Sequence, residues 1–222
     1  MCFSAEVSFG AAAVITTIGV IAFKKAEKTP YRFLAFIPIV FGFQQFVEGF
    51  VWLGATHEEY TDLLQLSAYF FIIIAWVIWP IYIPFALWKI EKDFIRKRIL
   101  LVLVFIGVIV TLGLIYILFT SGIIATVNDC SIIYDYGGKQ SPSHFFSILY
   151  LSTTVLPNLV SKVGKIWGLG IMNLITYFVS RIYFHDRVIS VWCFLAAVSS
   201  IIILLIIMDE RRKEKKASQL DL

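Results

Sequence analysis

Lysine and arginine collect at every second joint between the apolar stretches of this chain, and that alternation limits the fold more than any other feature. The apolar stretches run roughly over 4–23, 33–54, 63–88, 99–119, 144–160, 166–184 and 188–208. If each crosses a bilayer in turn, one side receives Lys24, Lys25, Lys28 and Arg32, then Lys89, Lys92, Arg96, Lys97 and Arg98. It also receives Lys162 and Lys165, and a tail holding Arg211, Arg212, Lys213, Lys215 and Lys216. These are 16 of the 19 basic residues; Lys139, Arg181 and Arg187 remain for the other side. Positive joints stay in the cytoplasm during insertion, so the amino terminus is expected outside and the carboxyl terminus inside.

Composition agrees. An apolar fraction of 59% with mean hydropathy +0.86 exceeds what a soluble domain carries. About 20 residues of helix cross the hydrocarbon at 1.5 Å each. The stretch at 144–160 is the shortest, yet without it the basic tail would lie outside, against the charge rule. The expected fold is therefore all-α, an integral membrane bundle of seven transmembrane helices over 1–208 with a basic cytoplasmic tail at 209–222. Its expected place is the cell membrane, multi-pass, with the lipid bilayer as its surroundings. The net charge of +4 belongs to the cytoplasmic joints, so no nucleic-acid partner is expected. Glu6 ahead of the first stretch and Lys24-Lys25 behind it reverse the order of a secretory leader, so that stretch reads as an anchor.

Most joints are short, which makes successive helices antiparallel neighbours. The exception is the outer loop 120–143, where Ser131-Ile132-Ile133-Tyr134 reads as a short extended run and Gly137-Gly138 as a turn. A loop of this length is either a lid or a surface connector. In the third span Pro80 and Pro84 remove amide donors and free the carbonyls of Trp76 and Pro80, so a kink is expected there. A three-plus-one-plus-three repeat of the sugar-transporter kind finds no support, because those prolines have no counterpart in the seventh span.

Polar side chains within spans must face the bundle interior or a wet cavity. Gln44, Gln45 and Glu48 are spaced by three and four, and share one helix face with Trp52 a turn further out. Glu48 lies about 9 Å along the axis from Gly54. Glu6, Ser67, Tyr69, His144, Ser147, Tyr177, Arg181, Ser190 and Cys193 all fall in the outer half, whereas the inner halves are mainly Ile, Leu, Val and Phe. An outward-facing polar pocket closed from beneath follows. Glu48 would be its principal contact, oriented by Gln44 and Gln45, with Trp52 and Tyr69 as walls. Cys2, Glu6, His144, Arg181 and Cys193 are the other candidate ligand-binding residues. Arg181 either pairs with Glu48 or Glu6, or snorkels to the outer interface.

The function that fits is binding of a small ligand or ion for transport or sensing. The alternative is a membrane-embedded hydrolase or transferase acting on a lipid substrate through Cys2, Glu48 or His144. His57, His144 and His185 show no H-x-x-x-H or H-E-x-x-H spacing, so neither a metal site nor a cofactor is expected. The seventh span holds no lysine for a Schiff base, which excludes a retinal protein. Of the three cysteines, Cys2 and Cys130 share the outer side, where a disulfide is permitted. Cys193 reads as a small packed hydrophobe. Ser4 stands as the cap of the first helix.

The opening Met1-Cys2-Phe3-Ser4-Ala5 with Ser8-Phe9, the run Gln44-Gln45-Phe46-Val47-Glu48-Gly49 leading to Val51-Trp52, the pair Trp79-Pro80 and the run Ser190-Val191-Trp192-Cys193-Phe194 form a set. Together they resemble an uncharacterised prokaryotic family of seven-helix membrane proteins that open with MCFSA. The resemblance covers nearly the whole chain and implies a cell-membrane protein, but no reaction. Its motifs fall at Cys2, Glu48 and Cys193. Ligand identity and oligomeric state are not encoded in these patterns.

Overall fold

A computed structural model describes residues 4–128, 131–135, 144–184 and 187–220. The helices are α1 (Ala5–Ala26), α2 (Arg32–Ala35), α3 (Ile37–Thr56), α4 (Thr61–Ile73), α5 (Trp79–Ile90) and α6 (Phe94–Ser121). After the strands β1 (Ile124–Asn128) and β2 (Ser131–Asp135) come α7 (His144–Thr154), α8 (Leu156–Val160), α9 (Ile166–Tyr183), α10 (Val188–Val198) and α11 (Ser200–Leu220). Five helical runs are long and apolar enough to cross a membrane: Ala5–Ala26, Arg32–Thr56, Glu58–Ile90, Phe94–Ser121 and Val188–Lys213. The chain is an all-α membrane protein with one small hairpin.

Small residues set the closest helix pair. The buried face of α1 is Ala5, Ser8, Ala12, Ile15, Gly19, Ala22 and Ala26, spaced by three and four, and it lies against α3. A Cβ on Gly42 would meet Thr16 Oγ1 at 2.1 Å, so the two backbones approach as closely as glycine allows. Ser4 does cap α1, its hydroxyl accepting from the Val7 amide at 3.4 Å. The fourth span starts earlier than the apolar run suggests, at Phe94, because the Asp93 carboxyl accepts from the Arg96 amide at 3.0 Å and caps α6. The stretch 144–160 is two helices, broken at Val155, with Pro157 in the first turn of α8.

Ahead of Pro80, where a kink is expected, the helix takes a π-helical form over Ile74–Ile78, between α4 and α5. Neighbouring helices supply what the lost amides leave open. Thr111 Oγ1 on α6 donates towards the carbonyls of Trp76 at 3.4 Å and Val77 at 3.3 Å. The Tyr150 hydroxyl on α7 donates to the Ala75 carbonyl at 2.6 Å. Gly107 abuts the Pro80 carbonyl that Pro84 frees. Irregular backbone at membrane depth is stable where protein groups satisfy it in this way. Thr111→Val keeps the shape and removes the donor. It is expected to cost about 0.6–1.7 kcal/mol, the range for hydrogen bonds between membrane helices, read as a lower melting temperature in detergent.

The four joints richest in lysine and arginine, at 24–32, 89–98 and 161–165 and in the tail from Arg211, meet at one end of the bundle. There Tyr82 donates to the Phe33 carbonyl at 2.9 Å, Tyr31 to Glu210 at 3.1 Å, and the guanidinium groups of Arg96 and Arg211 to the carbonyls of Val160 and Lys25. Lys89 lies 4.7 Å over the Trp88 ring and Arg98 4.1 Å over Phe94, an aromatic and basic belt of the kind found at membrane interfaces. At the opposite end the extended run expected at 131–134 is β2, paired antiparallel with β1 so that Ala125 faces Tyr134 and Val127 faces Ile132. Gly137-Gly138 lies outside the described residues. The hairpin is packed, not loose: Ile123, Ala125, Ile132 and Tyr134 are buried in the apolar cluster at that end.

Candidate functional site

Between the apolar cluster of the basic end and that of the hairpin end lies a layer of buried polar side chains. On α3, Gln44, Gln45 and Glu48 are almost fully enclosed, at 0%, 0% and 2% exposure. The Glu48 carboxyl accepts from Gln45 Nε2 at 3.1 Å and from the Ser190 hydroxyl of α10 at 2.5 Å. Gln44 Oε1 accepts from Trp79 Nε1 at 2.8 Å, and the Trp79 ring stacks on Phe41 at 4.1 Å. These bonds fix both amides: Gln44 turns its nitrogen, and Gln45 its oxygen, away from the partner already made. Trp79 reaches Gln44 from the first turn after the π segment, so the irregular helix builds one wall of the site.

Helix α10 adds Cys193, buried beside the Gln44 amide and within electrostatic reach of Glu48. From the hairpin comes Tyr134, its ring stacked on Phe71 at 4.9 Å and 6°. Its hydroxyl lies within electrostatic range of Glu48 and Cys193, with no hydrogen bond to either. Four buried polar atoms here have no hydrogen-bond partner among the described residues: Gln44 Nε2, Gln45 Oε1, Trp52 Nε1 and Tyr134 Oη. An unpaired buried group costs roughly 1–3 kcal/mol, and four of the seven such atoms among the described residues fall in this layer, the others being Asn173 Oδ1, Ser180 Oγ and Ser200 Oγ.

The other expected site residues are distributed differently. Tyr69 packs against the cluster at the hairpin end, with its hydroxyl facing Gly122 where α6 gives way to the hairpin. Glu6 is exposed at the start of α1, and its charge neighbour is His57. Arg181 is exposed on α9. The partners of the Glu48 carboxyl are Gln45 and Ser190, not a cation. Cys2 and the Cys2–Cys130 pairing fall outside the described residues, as does the side chain of His144, the first residue of α7. No three His, Cys, Asp or Glu residues among those described converge as a metal-ligand set. Two surface clefts lie elsewhere. One, of about 390 Å³, is lined by Asp93, Arg96, Ile99 and Lys162; the other lies between α1 and α10–α11, lined by Gly10, Val14 and Ala197.

Sequence reasoning missed Trp79 and Tyr134 as members of the layer. Alternation in Ile132-Ile133-Tyr134 was the available signal for Tyr134, since residues 132 and 134 of a strand share a face. Nothing local distinguishes Trp79 from the other tryptophans. It also missed Glu91 at the basic end, a buried carboxylate discussed below.

A family model matches residues 1–219, and its description is a family of unknown function, DUF6629. The chain belongs to that family. No curated protein and no solved structure matches it. Family membership thus agrees with the resemblance carried by the MCFSA opening and the Gln-Gln-x-x-Glu-Gly run, and it adds no reaction.

Proposed function

We propose that this member of the family is a seven-span protein of the cell membrane, amino terminus outside, that binds a small polar ligand or ion at Glu48 for transport or sensing. Two segments complete the seven: α7 with α8, and α9, whose 18 residues cover about 27 Å. α9 is peripheral, with Trp167, Ile171, Ile175, Phe178 and Ile182 exposed, as a lipid-facing helix would be. Seven crossings also keep 16 of the 19 basic residues on one side, which the insertion rule then makes cytoplasmic.

The observation that carries the ligand reading is the set of four unpartnered polar atoms around a buried carboxyl. They define what a guest must offer. Gln44 Nε2 and Trp52 Nε1 are donors and want an acceptor; Gln45 Oε1 and the Glu48 carboxyl are acceptors and want a donor or a cation. Tyr134 can serve either way.

The test is thermal unfolding of the purified protein with a panel of monovalent cations, ammonium and small amines. A true ligand at 100 times its Kd stabilises by about 2.7 kcal/mol. That shift is expected to vanish in Glu48→Gln and to persist in Cys2→Ala. A shift unchanged in Glu48→Gln removes the site.

A further inference from the structure

We propose that the β1–β2 hairpin is a movable cap on the Glu48 site, opened from the hairpin's side of the membrane when Tyr134 leaves its seat on Phe71. This rests on the reading of Glu48 as a binding site, and names how that site is reached. The cap is held by apolar contact. Ile123, Ala125, Ile132 and Tyr134 point into the bundle, whereas Ile124 and Asp135 on the opposite face are exposed. One polar tie to the bundle is the Gln65 amide donating to the Ile123 carbonyl. A two-stranded hairpin is marginal alone in water, so its position depends on this burial. At its base Gly122 sits at φ +70°, a backbone region that side-chain-bearing residues rarely adopt, and marks a pivot where α6 ends.

Against that attraction stand the groups shut in beneath it. With the cap down, Tyr134 Oη, Gln44 Nε2, Gln45 Oε1 and Trp52 Nε1 are buried and unpaired. Lifting the hairpin admits water, and a ligand can replace that water under the closed cap. Apolar contact favours the closed state and unsatisfied polar groups oppose it, which brings two states close enough in free energy for a ligand to choose between them. Glu48 is 2% exposed and Gln44 and Gln45 are fully buried, so the site is closed in this conformation.

Cys193 lies under the cap and reports its opening without any ligand. In a Cys2→Ser, Cys130→Ser background it is the sole cysteine. A membrane-impermeant cationic methanethiosulfonate is added to one or the other face of vesicles of known orientation, and the labelling rate of Cys193 is measured by mass. Labelling is expected from the outer face only, slow with Tyr134 present and faster by roughly tenfold or more in Tyr134→Ala. Tyr134→Phe keeps the stack and deletes the unpaired hydroxyl, so it should label more slowly than the parent. An unchanged rate in Tyr134→Ala, or faster labelling from the basic side, overturns the cap. Should Tyr134→Ala fail to fold, Tyr134→Phe decides: a slower rate supports the proposal, an equal or faster one refutes it. Because no ligand is used, the cap can stand when no compound binds Glu48, and binding at Glu48 can stand when the cap proves rigid.

Discussion

Gly107→Ala is expected to destabilise the bundle by about 2–3 kcal/mol, the upper part of the range for forcing atoms into a filled interior. A Cβ at this position would lie 2.1 Å from the Pro80 carbonyl oxygen and 2.8 Å from its carbon. Both are backbone atoms, so no side-chain rotation relieves the clash. α6 would have to move off α5, and Thr111, four residues along α6, would then lose its reach to the Trp76 and Val77 carbonyls. The freed carbonyl of Pro80 exists because Pro84 has no amide proton, so the contact belongs to the proline pair as much as to the glycine. Thermal unfolding in detergent, followed by tryptophan fluorescence, measures the effect. Gly10→Ala and Gly168→Ala are the controls, since a Cβ at either meets nothing within 4 Å. Equal melting of Gly107→Ala and its parent would show that α5 and α6 do not touch there.

Loss of Glu91 is expected to be nearly as severe, about 1–3 kcal/mol for Glu91→Ala, because the substitution strands one buried and three part-buried donors at once. Glu91 is 4% exposed. Its Oε1 accepts from the amides of Lys92 and Asp93 at 3.0 and 3.1 Å, and its Oε2 from the Ser161 hydroxyl and the Lys162 amide at 2.9 and 3.0 Å. One carboxylate thus clips the turn between α5 and α6 to the turn between α8 and α9. Burial alone would raise its pKa, but the Asp93 and Lys162 amides, the Ser161 hydroxyl and the Lys92 amide together hold it below the ordinary value. A carboxyl depressed in the folded state contributes fully above its unfolded pKa of about 4.3, and that contribution is lost as pH falls through the lower folded value. The melting difference between the parent and Glu91→Gln should therefore be constant near neutrality and narrow below about pH 4. A difference that does not change with acid would mean the carboxylate form is not what holds the turns together.

These two residues show where reading the chain stops. Glu91 stands at the end of an apolar run among basic residues, and its letter looks like an ordinary interfacial charge. Two of its four partners are 70 and 71 positions away. Glu48 was legible because an acid within an apolar stretch is costly wherever the helix faces, and its spacing from Gln44 and Gln45 places all three on one face. That Ser190 would close on it across 142 positions was not legible. Neither was Trp79 as the partner of Gln44, because helical periodicity ranks faces and does not match them.

From its sequence alone this protein is determined to be a helical membrane protein, with its basic joints gathered at one end and a carboxyl inside one of its spans. Those properties are sums of local terms: transfer free energy residue by residue, a 3.6-residue period, and the charge of short joints. Only the tertiary structure decided that the helix ahead of Pro80 takes a π segment answered by Thr111 and Tyr150. It alone seated a hairpin tyrosine over the polar layer and joined two remote turns through Glu91. Each of these depends on which helix packs against which, and that is set by close contact between residues far apart in the chain, where no local pattern carries the choice.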